Sequence, residues 1–343
     1  MHGEPMSLPL LALAALAAFL AGCAAPSRLG PDDRATVAGR TYVVTGASSG
    51  LGRGVALELA SYGANVVLAA RRTQALDRVA AEVRAAGGQP LVVTADVSGP
   101  DQVQRLAAAA VERFGRIDVW INNAAVGAIG RFEDIPIEDH ARVVDVNLKG
   151  VIYGSHAALR QFRRQGFGTL VNVASVEGRV PLAYHASYAA TKHAVLGLGA
   201  ALNEELRLGG MDAIKVAAVL PWAVDTPFWD HTANYTGGTP RMYAMDGAQE
   251  VVDAIVWVSV HPRQEYAVGW KAQGAVLGAQ VWPGLAERIA AGVVHRAQIE
   301  TAPPAPATAG SLHEPARHGA AVEGGARARM EREDRQRLGR DGG

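Results

Sequence analysis

The chain has 343 residues, 49% of them hydrophobic, which supports a substantial buried core in one large or two small domains and excludes wholesale disorder. Its 33 basic and 33 acidic side chains balance and only 6% of residues are aromatic, so neither net charge nor a stacking platform points to nucleic acid. One cysteine and ten histidines without recurring ligand spacing exclude a disulfide framework and a thiolate zinc site, so no metal is expected and a small-molecule partner fits better.

The first element is an apolar run from Leu8 to Ala21, interrupted only by Pro9. It is short for a spanning helix, which needs about twenty residues, and suits the apolar core of a secretory signal. The string Leu20-Ala21-Gly22-Cys23 resembles the lipobox of bacterial lipoproteins, in which the cysteine is lipidated. Met1 to Ser7 departs from that pattern, having no Lys or Arg. Residues 1–23 therefore read as a signal or anchor that attaches the protein to a membrane through its N-terminus. An uncleaved anchor or an extension from a misplaced start codon is the alternative. Residues 24–38 read as a linker.

From residue 39 to 270, short apolar runs alternate with amphipathic segments. The runs fall at 41–45, 65–70, 90–95, 117–121, 168–174, 214–220 and, weakly, 265–268. The longer segments fall at 50–61, 73–86, 101–114, 139–165, 187–208 and 248–261. Val/Ile/Leu strands separated by helix-length segments predict one Rossmann-type α/β domain. It is a doubly wound parallel sheet of about seven strands with helices on both faces. Ligands in such a sheet bind at the carboxyl ends of the strands, so chemistry is sought just after each run.

After the first run comes Thr45-Gly46-Ala47-Ser48-Ser49-Gly50-Leu51-Gly52, opening a helix. Glycines there allow a tight turn and close approach of a pyrophosphate to a helix N-terminus. The second run ends at Arg71-Arg72 instead of at an acid, and two guanidiniums at that point suit the 2′-phosphate of NADP better than the free ribose of NAD. Asp96-Val97, after the third run, is placed to contact adenine, with a turn or N-cap role for Asp96 as the alternative. Asn122-Asn123-Ala124-Ala125 follows the fourth run; the small residues leave room for a cofactor and the amides can stitch neighbouring strands.

Ser175 follows the fifth run, and Tyr188 and Lys192 lie four residues apart on the next helix, on one face. A neighbouring cation stabilises a phenolate and lowers its pKa from about 10, which makes Tyr188 a usable proton donor and acceptor. Ser175 is placed to hydrogen-bond the substrate oxygen.

Together these strings resemble the short-chain dehydrogenase/reductase family over roughly residues 39–269. The resemblance implies that Tyr188 is the acid/base, that Lys192 binds the nicotinamide ribose and lowers the Tyr188 pKa, and that Ser175 positions the substrate. It implies a water-linked proton relay at Asn147, contact of Pro221, Val224 and Thr226 with the nicotinamide end, and dimers or tetramers built on helices 139–165 and 187–208. Three features depart from the family pattern. Ala125 stands where glycine is usual, Trp222 replaces the glycine after Pro221, and the glycine-rich C-terminal strand of many relatives is absent.

The segment after the sixth run carries Trp222, Phe228, Trp229, Tyr235, Met242, Tyr243 and Met245, which suggests a lid over an apolar substrate; Tyr184 and His185 are further candidates. Residues 271–298 read as an apolar extension, interrupted by Pro283, that packs on the core, extends the pocket or lies on a membrane. Residues 299–343, rich in Pro, Gly and mixed charge, are expected to lack fixed structure.

The expected function is NADP(H)-dependent interconversion of a carbonyl and a secondary alcohol. A non-catalytic cofactor-binding or scaffold protein on the same fold is the alternative, and too little ordered chain remains for an epimerase with a sugar-nucleotide domain. Export would cost a nicotinamide enzyme its cofactor pool. A membrane-associated form with the domain facing the cytoplasm is therefore expected, or a cytoplasmic protein if it is not attached.

Overall fold

A computed structural model of the protein describes residues 28–341; the N-terminal apolar run and Cys23 lie outside the described residues. The strands are β1 (Thr41–Thr45), β2 (Asn65–Ala70), β3 (Gln89–Thr94), β4 (Val119–Asn122), β5 (Ala128–Ile129), β6 (Gly168–Val173), β7 (Ile214–Leu220), β8 (Ala233–Asn234) and β9 (Tyr266–Ala267). The helices are α1 (Pro31–Val37), α2 (Gly50–Ser61), α3 (Thr73–Ala85), α4 (Pro100–Phe114), α5 (Ile137–Val144), α6 (Gly150–Gln165), α7 (Ala186–Leu208), α8 (Phe228–His231), α9 (Ala248–Val260), α10 (Gly269–Val281), α11 (Pro283–His295) and α12 (Ala326–Asp341).

Seven strands form one parallel sheet in the order β3-β2-β1-β4-β6-β7-β9, and β5 pairs with β8 beside it. The chain reverses direction across the sheet between β1 and β4, which opens a crevice at their carboxyl ends. Alternate residues of one strand serve opposite faces: Tyr42 and Val44 pack with α2 and α9, whereas Val43 packs with α4 and α6. Both faces are therefore covered, and β1 and β4 are buried along their whole length. This is the Rossmann-like α/β architecture expected from the alternation.

Four expectations change in detail. The 24–38 segment is more than a linker, because Leu29 and Val37 are buried in the core and Pro31–Val37 is helical. β4 starts at Val119, and the Asp118 side chain just before it accepts from the Thr41 amide at 2.9 Å. The long helix at 139–165 is interrupted by a π-helical turn, Asp145–Lys149.

The largest change is at the C-terminus. Residues expected to lack fixed structure instead run across the carboxyl ends of the sheet and finish in α12. Leu312 is fully buried against the core, and guanidiniums accept the role of partner for the strap's backbone carbonyls: Arg71 donates to Ser311 at 2.6 Å and Arg142 to Leu312 at 2.9 Å. Such pairing satisfies a Pro- and Gly-rich segment that forms no ladder of its own. Among the described residues, no helix is long and apolar enough to cross a membrane.

Candidate active site

The β1–α2 turn is built so that only glycine fits. Gly46 has φ +70°, and a Cβ there would stand 2.8 Å from the Asn123 amide nitrogen. A Cβ on Gly52 would lie 2.4 Å from the Gly46 carbonyl oxygen. Asn123 pins this turn from the next strand, donating from its side chain to the Thr45 carbonyl at 2.8 Å, while its own amide donates to Thr45 Oγ1 at 2.9 Å. Deeper in, Asn122 donates to Asn172 at 2.9 Å and ties β4 to β6. The stitching read from the Asn-Asn string is thus present.

A cavity of about 270 Å³ lies over these strand ends. It is bordered at one end by Gly46, Ser48, Arg71 and Arg72, and at the other by Ser175, Tyr188 and Lys192. Of the expected site residues, Ser49, Gly50, Leu51, Asp96, Val97, Asn123, Ala124, Pro221, Val224 and Thr226 also line it. Thr45, Gly52 and Asn147 stand behind the wall. Thr45 and Gly52 shape the turn, and Asn147 uses both ends of its side-chain amide on Val126, at 2.9 and 2.8 Å. Asp96 forms an Asx turn with Ser98 and an ion pair with Arg142 at 2.6 Å. Burial alone would raise its pKa, but the hydrogen bonds from Ser98 and Arg142 outweigh this and hold it low.

At the other end, Ser175 and Tyr188 both line the cavity, and Ser175 Oγ accepts from the Glu177 amide at 3.1 Å. Lys192 is buried 5.3 Å from the centre of the Tyr188 ring and donates to the Val173 carbonyl at 2.9 Å. The spacing argument expected Lys192 to lower the Tyr188 pKa. In the protein alone the phenol is instead pushed well above its ordinary value, by burial first and then by the charge of Glu177, with the Ser175 hydroxyl pulling the other way. Burial also lowers Lys192 to about 8, with Glu177 opposing. The ammonium faces the ring and a backbone carbonyl, so desolvation dominates both groups.

Two features of the site escaped the sequence. Glu177 lines the cavity and bonds His185 Nδ1 at 3.0 Å, and His185 Nε2 lies 2.9 Å from the Gln298 amide nitrogen. Burial disfavours a charged His185, but the Glu177 carboxylate and the hydrogen bonds win and its pKa is raised. Glu177, in the middle of a three-residue turn, and a glutamine more than a hundred residues later give no local sign of this cluster.

The second feature is the C-terminal strap, whose Ser311, Pro315 and Ala316 form part of the cavity wall. Its carbonyls take the donors expected to meet phosphates. Gly50 N–H donates to Ala321 at 2.9 Å, Arg71 to Ser311 and Arg72 to His318 at 3.0 Å. Ser48 Oγ accepts from Arg72 at 3.2 Å.

The expected lid divides in two. Trp222, Phe228, Trp229 and Met242 line the cavity, with the Phe228 ring 5.8 Å from that of Tyr188. Tyr235 donates to Asp139, Tyr243 pairs with Thr301 at 2.9 Å, and Met245 packs with Val294 and Met330. Tyr184 bonds His295 Nδ1 at 2.6 Å and packs on that same cluster, whereas His185 faces the cavity.

The turn, the guanidinium pair and the cavity fit a dinucleotide. The glycine turn packs on Asn123 and on itself too closely for any Cβ, and the donors now meeting carbonyl oxygens suit phosphate oxygens equally well.

Comparison with known proteins agrees with this geometry. The family model described as short chain dehydrogenase matches residues 40–235. An uncharacterized oxidoreductase of Bacillus subtilis is 32% identical over 278 residues, covering 80% of this chain and 78% of its own. Levodione reductase of Leifsonia aquatica is 34% identical, covering 66% and 82%. Among solved structures, a short-chain dehydrogenase/reductase from Burkholderia phymatum in complex with NAD is 30% identical, with a TM-score of 0.65, over 73% of this chain and 95% of that one. An alcohol dehydrogenase from Thermococcus sibiricus complexed with 5-hydroxy-NADP is 26% identical, with a TM-score of 0.58, over 67% and 95%. The chain belongs to the short-chain dehydrogenase family and is an oxidoreductase on a Rossmann-like nucleotide-binding fold.

Proposed function

We propose that the protein is an NADP(H)-dependent enzyme that interconverts an apolar ketone and its secondary alcohol. The observation that carries this reading is the Ser175–Tyr188–Lys192 cluster opening into a cavity walled by Trp222, Phe228, Trp229 and Met242. An apolar wall with few converging polar groups favours an apolar substrate whose one reactive oxygen meets Ser175 and Tyr188.

The nicotinamide cofactor supplies or accepts the hydride when bound. The β1–α2 turn and the α2 N-terminus would hold its pyrophosphate, Arg71 and Arg72 its 2′-phosphate, and Lys192 its nicotinamide ribose, and Pro221, Val224 and Thr226 would meet its carboxamide end. Burial keeps Tyr188 protonated at neutral pH, the form needed to donate a proton to the substrate oxygen during carbonyl reduction. Ser175 hydrogen-bonds that same oxygen and holds it against the phenol. In the oxidative direction Tyr188 takes the proton back, and the Lys192 ammonium, 5.3 Å from the ring centre, stabilises the phenolate. Asn147 holds the loop carrying Val126, which steadies one wall of the cavity; the proposed relay passes through this region. The active form is a homodimer or homotetramer assembled on α6 and α7.

Incubating the purified protein with NADPH and a panel of ketones and aldehydes tests this reading. NADPH should be consumed with at least one apolar ketone, and Tyr188→Phe should bind NADPH normally without turning over. The scaffold reading gains if NADPH binds but no member of the panel is reduced. Sedimentation velocity measures the oligomer, and intact mass of the membrane-extracted protein reads lipidation at Cys23.

A further inference from the structure

The helical hairpin α10–α11 has two unlike faces. Its inner side closes the substrate end of the molecule: Ala272 and Val294 are buried, and Val294 and Ala290 pack with Trp222, Trp229 and Met242. Its outer side is apolar and bare. Trp270 is 73% exposed, Trp282 67%, Leu285 56% and Ile289 60%, and Leu277, Val281 and Val293 extend the same surface. These seven outnumber the large hydrophobics exposed on all the other described residues together, so the exposure is concentrated rather than scattered. A patch of this kind marks an interaction site.

The point at which the chain enters the fold lies near the foot of this hairpin. Arg28 pairs with Asp253 on α9 at 2.9 Å. One turn away on α9, the Glu250 carboxylate packs against Gly269, where α10 begins: a Cβ on that glycine would stand 2.8 Å from Glu250 Oε1. The apolar run that ends at Ala21 is joined to Arg28 by six residues, a reach of at most about 25 Å. The described chain therefore begins on the same side of α9 as the start of α10, where Trp270 lies.

We propose that the α10–α11 hairpin docks on a lipid bilayer, with Trp270, Trp282, Leu285 and Ile289 in the interface and the Leu8–Ala21 run in the same leaflet. The run is apolar on every side, so covering the hairpin with it would still leave its far side in water. A second copy placed on the hairpin would leave both runs unburied. A bilayer takes up both surfaces, and tryptophan, with an apolar body and a polar N–H, suits the headgroup boundary. Docking in this way sets the wall of the substrate cavity against the membrane, on the side from which an apolar substrate would arrive.

The full chain mixed with brominated phosphatidylcholine vesicles tests the proposal, because bromine quenches only tryptophans at lipid depth. The wild type should be quenched, and the quenchable part of the emission should disappear in the Trp270→Phe, Trp282→Phe variant. In flotation with plain phosphatidylcholine vesicles, Trp282→Ser with Leu285→Ser and Ile289→Ser should lower the partition roughly tenfold or more, with an unchanged thermal melt. Unquenched wild-type protein, or quenching that survives in the double variant, overturns the proposal. So does a dimer that these substitutions dissociate while partition stays the same, since the face then serves a second copy.

Discussion

The Lys192 ammonium stands 5.3 Å from the centre of the Tyr188 ring and spends a hydrogen bond on the Val173 carbonyl at 2.9 Å. Its charge is therefore held inside the protein at a cost in desolvation, which is why its pKa falls to about 8.

A stability measurement against pH reads that cost. Between pH 8 and the ordinary lysine value near 10.5, the unfolded chain holds a proton that folded Lys192 has released. Stability from this group thus rises with pH across that window, and the penalty is fully present below it. Lys192→Met should be inactive yet more stable than wild type at pH 7, by about 1 kcal/mol. Denaturant midpoints at pH 7 and pH 10 should show the gap closing; a gap that widens refutes the burial argument.

The proposed preference for NADP rests on Arg71 and Arg72. Replacing Arg72 with Ala should weaken NADPH binding by about 1.5–3 kcal/mol, the size of a hydrogen bond to a charged group, and leave NADH nearly untouched. Equal losses for the two cofactors, measured by calorimetry, would remove the guanidinium pair from the 2′-phosphate site.

The strap occupies Gly50 N–H, Arg71 and Arg72, the donors that the proposed binding mode gives to the cofactor phosphates. Cofactor binding should therefore release residues 311–321, and NADPH should accelerate limited proteolysis there. Asp225 fastens the far end of the strap, accepting from the Ala326 amide at 2.7 Å at the start of α12. Asp225→Ala loses this cap, about 1–2 kcal/mol, and should expose the strap to protease without any cofactor. Protection by NADPH would mean instead that the strap closes over the bound cofactor.

The glycine turn admits a controlled comparison. A Cβ at Gly52 meets the Gly46 carbonyl at 2.4 Å, so Gly52→Ala should cost about 1–3 kcal/mol and most of the cofactor affinity. Gly197, in the middle of α7, has nothing within 4 Å of the same added atom. Gly197→Ala should be neutral or stabilising by up to about 1 kcal/mol. Thermal melts of the two variants in parallel check both signs.

Much of the site was legible because its parts are local strings. The turn from Thr45 to Gly52, the Arg71-Arg72 pair and the Tyr188/Lys192 spacing each need only a few consecutive residues and one strand end. Glu177, His185 and Gln298 were not assembled in advance, because their contact joins α11's following turn to the β6–α7 connection. The strap was missed for a different reason. Arg71 meets Ser311 across 240 residues of sequence, through a backbone carbonyl that every residue type possesses.

Periodicity and strand-end motifs in the sequence alone determine the parallel sheet, the crevice at its carboxyl ends and the family to which the chain belongs, since hydrophobic alternation and phosphate-turn geometry are short-range properties. Only the tertiary structure decides the protonation bias of Tyr188, the cover over Arg71 and Arg72, and the bare outer face of α10–α11. Each of these depends on desolvation and on which distant segments come to lie against one another, and no local pattern encodes that.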